Sequence, residues 1–321
     1  MTHFIFTKDD VVTYNDRICY HYPFETSFAF SVPSKEFLSF VSSCGEKIEM
    51  EKYKGKVVVI SGKAKAKFNT VVSNDIGEIL EAIESTIFDE NAKWLELPKD
   101  FLKGLVLCQF SIGGDELQNT LTTLLIEKNY VLSCDGKRAS SYIMDGLLQE
   151  RLMIKNKAVK EVIKFNPVAY VLKDNWLHFM NDEEAIMSVK NVEGTYPVEQ
   201  TLTLIEKIKG KTVDLPKEEL IKGINIVSPM TESEVKNERL INVTFTESQI
   251  ILHASKAKGE AFYEIDFDSQ IKEDVSIMIN PDFLKDILEM ASKMIIDYEG
   301  EKALFRTGKN FNHAIAFRKK N

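Results

Sequence analysis

Five stretches of the chain repeat one pattern: a strand-like run closes, a Pro, Asn or Lys follows, and an amphipathic segment begins. They are Ser31-Val32-Pro33-Ser34-Lys35-Glu36-Phe37-Leu38, Leu97-Pro98-Lys99-Asp100-Phe101-Leu102-Lys103, Ile154-Lys155-Asn156-Lys157-Ala158-Val159-Lys160, Leu215-Pro216-Lys217-Glu218-Glu219-Leu220-Ile221-Lys222 and Asn280-Pro281-Asp282-Phe283-Leu284-Lys285. Counted from positions 33, 98, 155, 216 and 281, the steps are 65, 57, 61 and 65 residues. A helix at so regular a period marks an array of copies of one supersecondary unit. Between the predicted helices the pattern becomes short and β-branched, as in Lys56-Val57-Val58-Val59-Ile60, Leu124-Leu125-Ile126, Tyr130-Val131-Leu132, Gln249-Ile250-Ile251-Leu252 and Ala303-Leu304-Phe305. Turn signals such as Tyr53-Lys54-Gly55-Lys56 and Tyr298-Glu299-Gly300-Glu301 separate many of these runs.

Each unit therefore predicts one helix followed by three or four strands in an antiparallel meander. Two such units packed together bury a sheet face and a helix stripe. The result is an α+β chain of three tandem domains, 1–93, 94–211 and 212–321. Loop-like Asn91-Ala92-Lys93 and Lys209-Gly210-Lys211 fall at the boundaries. No Pro/Gly/Ser-rich linker separates the domains, which predicts that they are held rigidly.

Composition changes this picture little. The 321 residues are 44% hydrophobic and 28% charged, as in an ordinary globular protein. No apolar run reaches the roughly 20 residues of a membrane span, and Met1-Thr2-His3 does not open a signal peptide, so a cytoplasmic protein with no membrane partner is expected. Cys19, Cys44, Cys108 and Cys134 are scattered singly, as reduced thiols. Net charge is −8, which argues against indiscriminate adhesion to nucleic acid, although a local basic lining follows its own residues and not the total.

The basic residues cluster on the predicted helices. Lys99 and Lys103 fall on the second, Lys155, Lys157, Lys160 and Lys164 on the third, and Lys207, Lys209, Lys211, Lys217 and Lys222 at and before the fourth. Spacings of three and four put Lys157, Lys160 and Lys164 on one helix face, opposite Val159, Val162 and Ile163. A solvated helix face explains any one such row; its recurrence on other helices points toward a polyanion.

Here the residues carry a resemblance. Ser133-Cys134-Asp135-Gly136-Lys137-Arg138-Ala139 is similar to the A-T-D-G-H-R-L segment of the bacterial DNA polymerase III β subunit, the sliding clamp. Val192-Glu193-Gly194-Thr195-Tyr196-Pro197 resembles that family's V-D-G-R-F-P turn, and Ile279-Asn280-Pro281-Asp282-Phe283-Leu284-Lys285-Asp286-Ile287-Leu288 resembles its F-N-x-x-Y-L-x-D-V-L helix. Val59-Ile60-Ser61-Gly62-Lys63-Ala64-Lys65-Ala66-Lys67-Phe68 resembles its V-x-S-G-x-S-x-F strand. Four matches in the family's order cover nearly the whole chain. They imply the DNA-clamp fold, with the first domain lacking its opening strand and helix. The shortened start and the ending His313-Ala314-Ile315-Ala316-Phe317-Arg318-Lys319-Lys320-Asn321, without the family's Met-Pro, are what a phage- or mobile-element-encoded copy would show.

The resemblance implies a polymerase processivity factor that encircles double-stranded DNA without reading its sequence. Lysines suit that task, since phosphate contacts position and base contacts specify. It places Lys99, Lys103, Lys157, Lys160, Lys164, Lys217, Lys222 and Lys285 on the DNA face, and we add Lys63, Lys65, Lys67 and Arg138. Lys63, Lys65 and Lys67 alternate along a strand, and a charged, blunted sheet edge is the other reading of them. The family docks peptides of polymerase and clamp loader in a pocket that would here use Cys134, Gly136, Lys137, Arg138, Ala139, Leu215, Pro216, Leu304, Ile315 and Phe317. Ala139 stands where the family has Leu, so peptide preference is expected to differ. A loop, Ser111-Ile112-Gly113-Gly114-Asp115-Glu116, is expected to be mobile. A head-to-tail homodimer ring would bring Phe68 and Thr70 against Ile226 and Val227 of a second copy.

Nothing advertises catalysis. The five histidines show no ligand spacing, Asp182-Glu183-Glu184 reads as a polar turn, and P-loop, GxGxxG, GxSxG and HExxH motifs are absent, so neither cofactor nor metal is implied. The alternative reading is a clamp-fold interaction protein that binds clamp partners, as a decoy, without encircling DNA.

Overall fold

The computed structural model describes residues 3–15, 17–45, 47–70, 74–87, 92–114, 120–235, 238–268 and 271–320. Met1, Asn91 at the first expected boundary, and Asp115 and Glu116 of the expected mobile loop lie outside the described residues. The helices are α1 (Ser34–Ser42), α2 (Asn74–Ile87), α3 (Phe101–Cys108), α4 (Asn156–Phe165), α5 (Val198–Lys207), α6 (Lys217–Val227) and α7 (Pro281–Leu288). Five of them are the expected ones; α2 and α5 are additional. Local chemistry sets their ends. At α7 the Asn280 side chain accepts hydrogen bonds from the N–H groups of Asp282 and Phe283, and Pro281 opens the first turn. Asn166, left-handed at φ 55°, closes α4.

By its contacts the chain divides into two compact units, residues 1–102 with 152–193 and residues 103–151 with 194–321. The first unit holds an eight-stranded sheet in the order Phe30–Pro33, His3–Phe6, Asp10–Asn15, Ile18–Pro23, Ile186–Lys190, Trp176–Met180, Ala169–Lys173 and Leu95–Glu96. Every neighbouring pair in it is antiparallel. A three-stranded sheet (Glu49–Tyr53, Lys56–Ser61, Ala64–Asn69) completes the unit. Strand alternation sends Phe6, Phe30, Val57, Val59 and Phe68 to one side, where they enclose Phe37 of α1. Phe6 and Phe30 stack at 4.3 Å, and burying each such ring contributes about 1.5–3 kcal/mol. On the other face of the large sheet, α2 lays Leu80, Ile83 and Ile87 over Val12, Cys19 and Trp176.

That second face also holds two neutral histidines. His178 lies 2.7 Å from Ser188 Oγ through Nδ1 and 3.0 Å from Thr86 Oγ1 of α2 through Nε2, and His21 Nε2 lies 3.4 Å from Cys19 Sγ. Burial lowers both imidazoles to about 4; for His178 the neighbouring His21 adds to the effect. The unfolded chain therefore takes up protons that the folded chain refuses between about pH 6.5 and 4. Stability is full above that window and falls as pH drops through it, by about 1.4 kcal/mol per pH unit for each histidine. Urea unfolding at pH 7 and pH 5 should show the loss, and His178→Gln should shrink it.

In the second unit the strands run Thr123–Glu127, Tyr130–Cys134, Arg138–Ile143, Phe311–Ala316, Lys302–Thr307, Lys293–Asp297 and Lys211–Asp214. A five-stranded sheet follows the order Gly259–Asp266, Gln249–Lys256, Ile241–Phe245, Val275–Ile279 and Arg318–Lys319. Helix α6 approaches its outer strand so closely that a Cβ on Gly223 would sit 2.5 Å from Tyr263 Cδ1. Ser140 Oγ lies 2.8 Å from Nδ1 of His313 and 2.7 Å from Ser111 Oγ, and all three residues are fully buried. This serine–histidine cluster ties the turn after α3 to the sheet and is sealed from any substrate.

Candidate functional site

The strongest local constellation is the turn between strands Tyr130–Cys134 and Arg138–Ile143. Gly136 takes φ +85°, open to glycine, and Asp135 Oδ1 accepts the N–H groups of Lys137 (2.9 Å) and Arg138 (2.7 Å). The Arg138 side chain is only 9% exposed. Its Nε donates to Asp135 Oδ2 at 3.0 Å, its Nη1 to Asp286 Oδ2 at 3.1 Å, and its guanidinium lies 3.8 Å from the centre of the Phe283 ring. Arg138 is thus a tie between the turn and α7. The expectation that it meets a DNA phosphate is corrected, because two carboxylates and a ring already occupy the guanidinium.

Around this tie lies a groove. A small apolar cavity of about 110 Å³ is lined by Cys134, Gly136, Lys137, Arg138, Ala139 and Ile315, all expected, together with Leu204, Lys302, Ala314 and Ala316. It adjoins a cavity of about 430 Å³ walled by Met278, Phe283 and Phe317, with Lys137 shared between them. Leu304 lies beneath the groove, buried with Ala139, Ala314, Ile205 of α5 and Ile208 just past that helix. Leu215 and Pro216 line neither of these two cavities: Leu215 is buried, with its N–H on Ser292 O, and Pro216 caps α6. Burial raises the pKa of the Cys134 thiol, so it contributes to this wall as a neutral group. Sequence reading missed Leu204 and its helix, although Val198, Leu202, Ile205 and Ile208 recur at helical spacing.

The lysines divide by surroundings. Lys157, Lys160 and Lys164 are exposed along α4 while Ala158, Val159 and Val162 are buried, and Lys164 pairs with Glu161 at 3.1 Å. Lys103 is exposed on α3 above the Tyr142 ring, and Lys99 sits in the turn before that helix. On α6 and α7 the ammonium groups are engaged. Lys217 Nζ donates to Glu289 O (2.8 Å), Lys222 lies 3.7 Å from Glu219, and Lys285 Nζ donates to Asn225 Oδ1 (2.8 Å).

No protein-family model and no curated protein sequence matches the chain. Solved structures do. A DNA polymerase sliding clamp from Pseudomonas aeruginosa superposes with a TM-score of 0.81 over 99% of this chain and 92% of its own, at 13% identity. The fold is that of the bacterial DNA sliding clamp. A putative DNA polymerase III β subunit from Eubacterium rectale matches at 19% identity and TM-score 0.77, covering 98% of this chain and 90% of its own. A sliding clamp from Bartonella birtlesii bound to griselimycin matches at 16% identity and TM-score 0.80, covering 99% and 91%.

Ala64–Asn69 ends the three-stranded sheet of the first unit, and Gly259–Asp266 ends the five-stranded sheet of the second. Lys65 and Lys67 point outward from the first, and Glu260, Glu264 and Asp266 are exposed on the second. Phe68 does not face outward as expected. Alternation turns it inward onto Phe37 and Phe40 of α1, and Val227 lies fully buried on the inner stripe of α6 with Leu220 and Ile224. Ile226 remains 44% exposed, and Thr70 Oγ1 donates to Gly55 O.

Proposed function

We propose that this chain is a DNA sliding clamp, a processivity factor that holds a replicative polymerase on duplex DNA and makes or breaks no bond itself. The clamp fold along 99% of the chain carries the reading, and the exposed lysine row of α4 supports it. Helices α3 and α4, bearing Lys103, Lys157, Lys160 and Lys164, and the turn with Lys99 would face the phosphates, with Lys217, Lys222 and Lys285 adding charge nearby. The groove beside Ala139 and Phe283 would dock short segments of polymerase and loader in the cytoplasm. The three-domain division at 93 and 211 belongs to the same reading. In that reading the pairing of Ile18–Pro23 with Ile186–Lys190 and of Arg138–Ile143 with Phe311–Ala316 joins strands of neighbouring domains into continuous sheets.

Ring closure would pair the edge strands Ala64–Asn69 and Gly259–Asp266 of successive copies, placing Lys65 and Lys67 opposite Glu260, Glu264 and Asp266 on one sheet surface. This moves those two lysines, and with them Lys63, from the DNA face to the subunit boundary. Light scattering after size exclusion should give twice the 36.6 kDa chain mass. Lys65→Glu with Lys67→Glu should yield monomer, and adding Glu260→Lys with Glu264→Lys should restore the dimer. A wild-type monomer at every concentration would remove the ring from this reading. For the function itself, the chain should lengthen primer-extension products of its cognate polymerase on long templates; no lengthening would remove the processivity reading.

A further inference from the structure

Away from the groove, the second unit holds a polar cavity of about 300 Å³ between the end of α6 and the start of α7. Arg239 and Asp282 line it, and each carries a buried side-chain atom with no hydrogen-bond partner: Nε of Arg239, a donor, and Oδ2 of Asp282, an acceptor. Such atoms cost free energy unless a partner reaches them, and they are few in folded proteins. Lys256 and Lys285 line the same cavity. Each spends one N–H inside the protein, on Pro229 O at 2.7 Å and Asn225 Oδ1 at 2.8 Å respectively, which leaves two more donors on each ammonium. Glu234 is the second carboxylate of the lining, and the nearby Glu238 carboxylate accepts from Ser233 Oγ at 3.4 Å.

The lining therefore offers donors in excess, three cations against two carboxylates, and one buried acceptor that demands a proton. A monoanion that accepts several hydrogen bonds and donates one satisfies all of this. We propose that the cavity binds a phosphate monoester in its monoanionic form. The phosphoryl oxygens would accept from Arg239 Nε, Lys256 and Lys285, and the remaining P–OH would donate to Asp282 Oδ2. A phosphodiester has no such hydroxyl and would leave Asp282 facing a negative oxygen. The site is thus distinct in chemistry from a surface that slides along a DNA backbone.

The test is calorimetric titration of the full chain with inorganic phosphate, deoxyadenosine 5′-monophosphate, a 5′-phosphorylated oligonucleotide and dimethyl phosphate. Saturable binding of the first two identifies a pocket for free phosphate compounds. Binding of the phosphorylated oligonucleotide alone identifies a site for DNA ends. Either result supports the proposal. Affinity should fall about tenfold per pH unit above the second phosphate pKa of about 6, as the monoanion is lost. Asp282→Asn, whose amide can donate, should abolish that dependence. Arg239→Gln should weaken binding roughly tenfold or more, and Lys256→Gln, at a half-buried position, is a second variant should the first not fold. Dimethyl phosphate binding as tightly as the monoesters, or no saturable binding of any monoester at millimolar concentration, would overturn the proposal and leave the cavity to water.

Discussion

Reversing Lys157, Lys160 and Lys164 to glutamate should abolish processive primer extension while leaving the fold intact. All three side chains are exposed, and the buried stripe of α4 (Ala158, Val159, Val162) is untouched. The Lys164–Glu161 ion pair, which the change breaks, is worth about 0.3–0.5 kcal/mol. The effect on DNA is far larger. Each phosphate neutralised contributes about −0.9 to the slope of log affinity against log salt, so losing three contacts should flatten that slope by nearly three. Product length in primer extension, read beside an unchanged melting temperature, checks this. Unchanged product length would move the DNA face away from α4.

Arg138→Met should act in the opposite way, through stability and docking. The substitution keeps the unbranched apolar stem but removes the guanidinium, leaving the buried Asp135 carboxylate (11% exposed) without its cation. Removing one partner of a buried pair costs about 3–5 kcal/mol; because Asp286 is 43% exposed, we expect the lower end, near 3 kcal/mol. For a unit of this size that lowers Tm by roughly 6–12 °C. Because Phe283 loses its stacked guanidinium, the larger cavity of the groove should loosen, and polymerase binding should weaken beyond what the lost stability explains. A double-mutant cycle with Asp135→Asn isolates the pair. Additive effects in that cycle would show that Arg138 acts through its packing alone.

How much of this was legible depended on what each residue announces. The five helices opened by Pro, Asn or Lys declared themselves, because a cap or fixed φ coincides there with the first apolar position. Helix α2 carries Ile76, Leu80, Ile83 and Ile87 at spacings of four, three and four, yet it lies where the chain reads as a connection. Missing α2 and α5 hid the coverings of both sheet junctions, and with α5 went Leu204 as a wall of the groove. The turn residues Cys134 to Ala139 were legible through the family resemblance that they carry, and Asp135-Gly136 indeed lies between the paired strands Tyr130–Cys134 and Arg138–Ile143. Arg138 was misplaced because a sequence shows charge and not its partners, and Asp286 stands 148 positions away. Phe68 and Val227 were taken for surface although the period of a strand and the stripe of a helix both turn them inward. Leu215 and Pro216 follow the same lesson: proximity in a motif does not fix which face a side chain lines.

Topological retention on DNA tests the central claim most directly. The chain is loaded with its cognate loader onto nicked circular plasmid, washed at salt high enough to strip electrostatic binders, and the plasmid is then cut once. A sliding clamp stays on the circle and slips off the ends of the linear form. Loss from both forms, or equal retention on both, would contradict encirclement and leave a clamp-fold protein that binds partners without enclosing DNA.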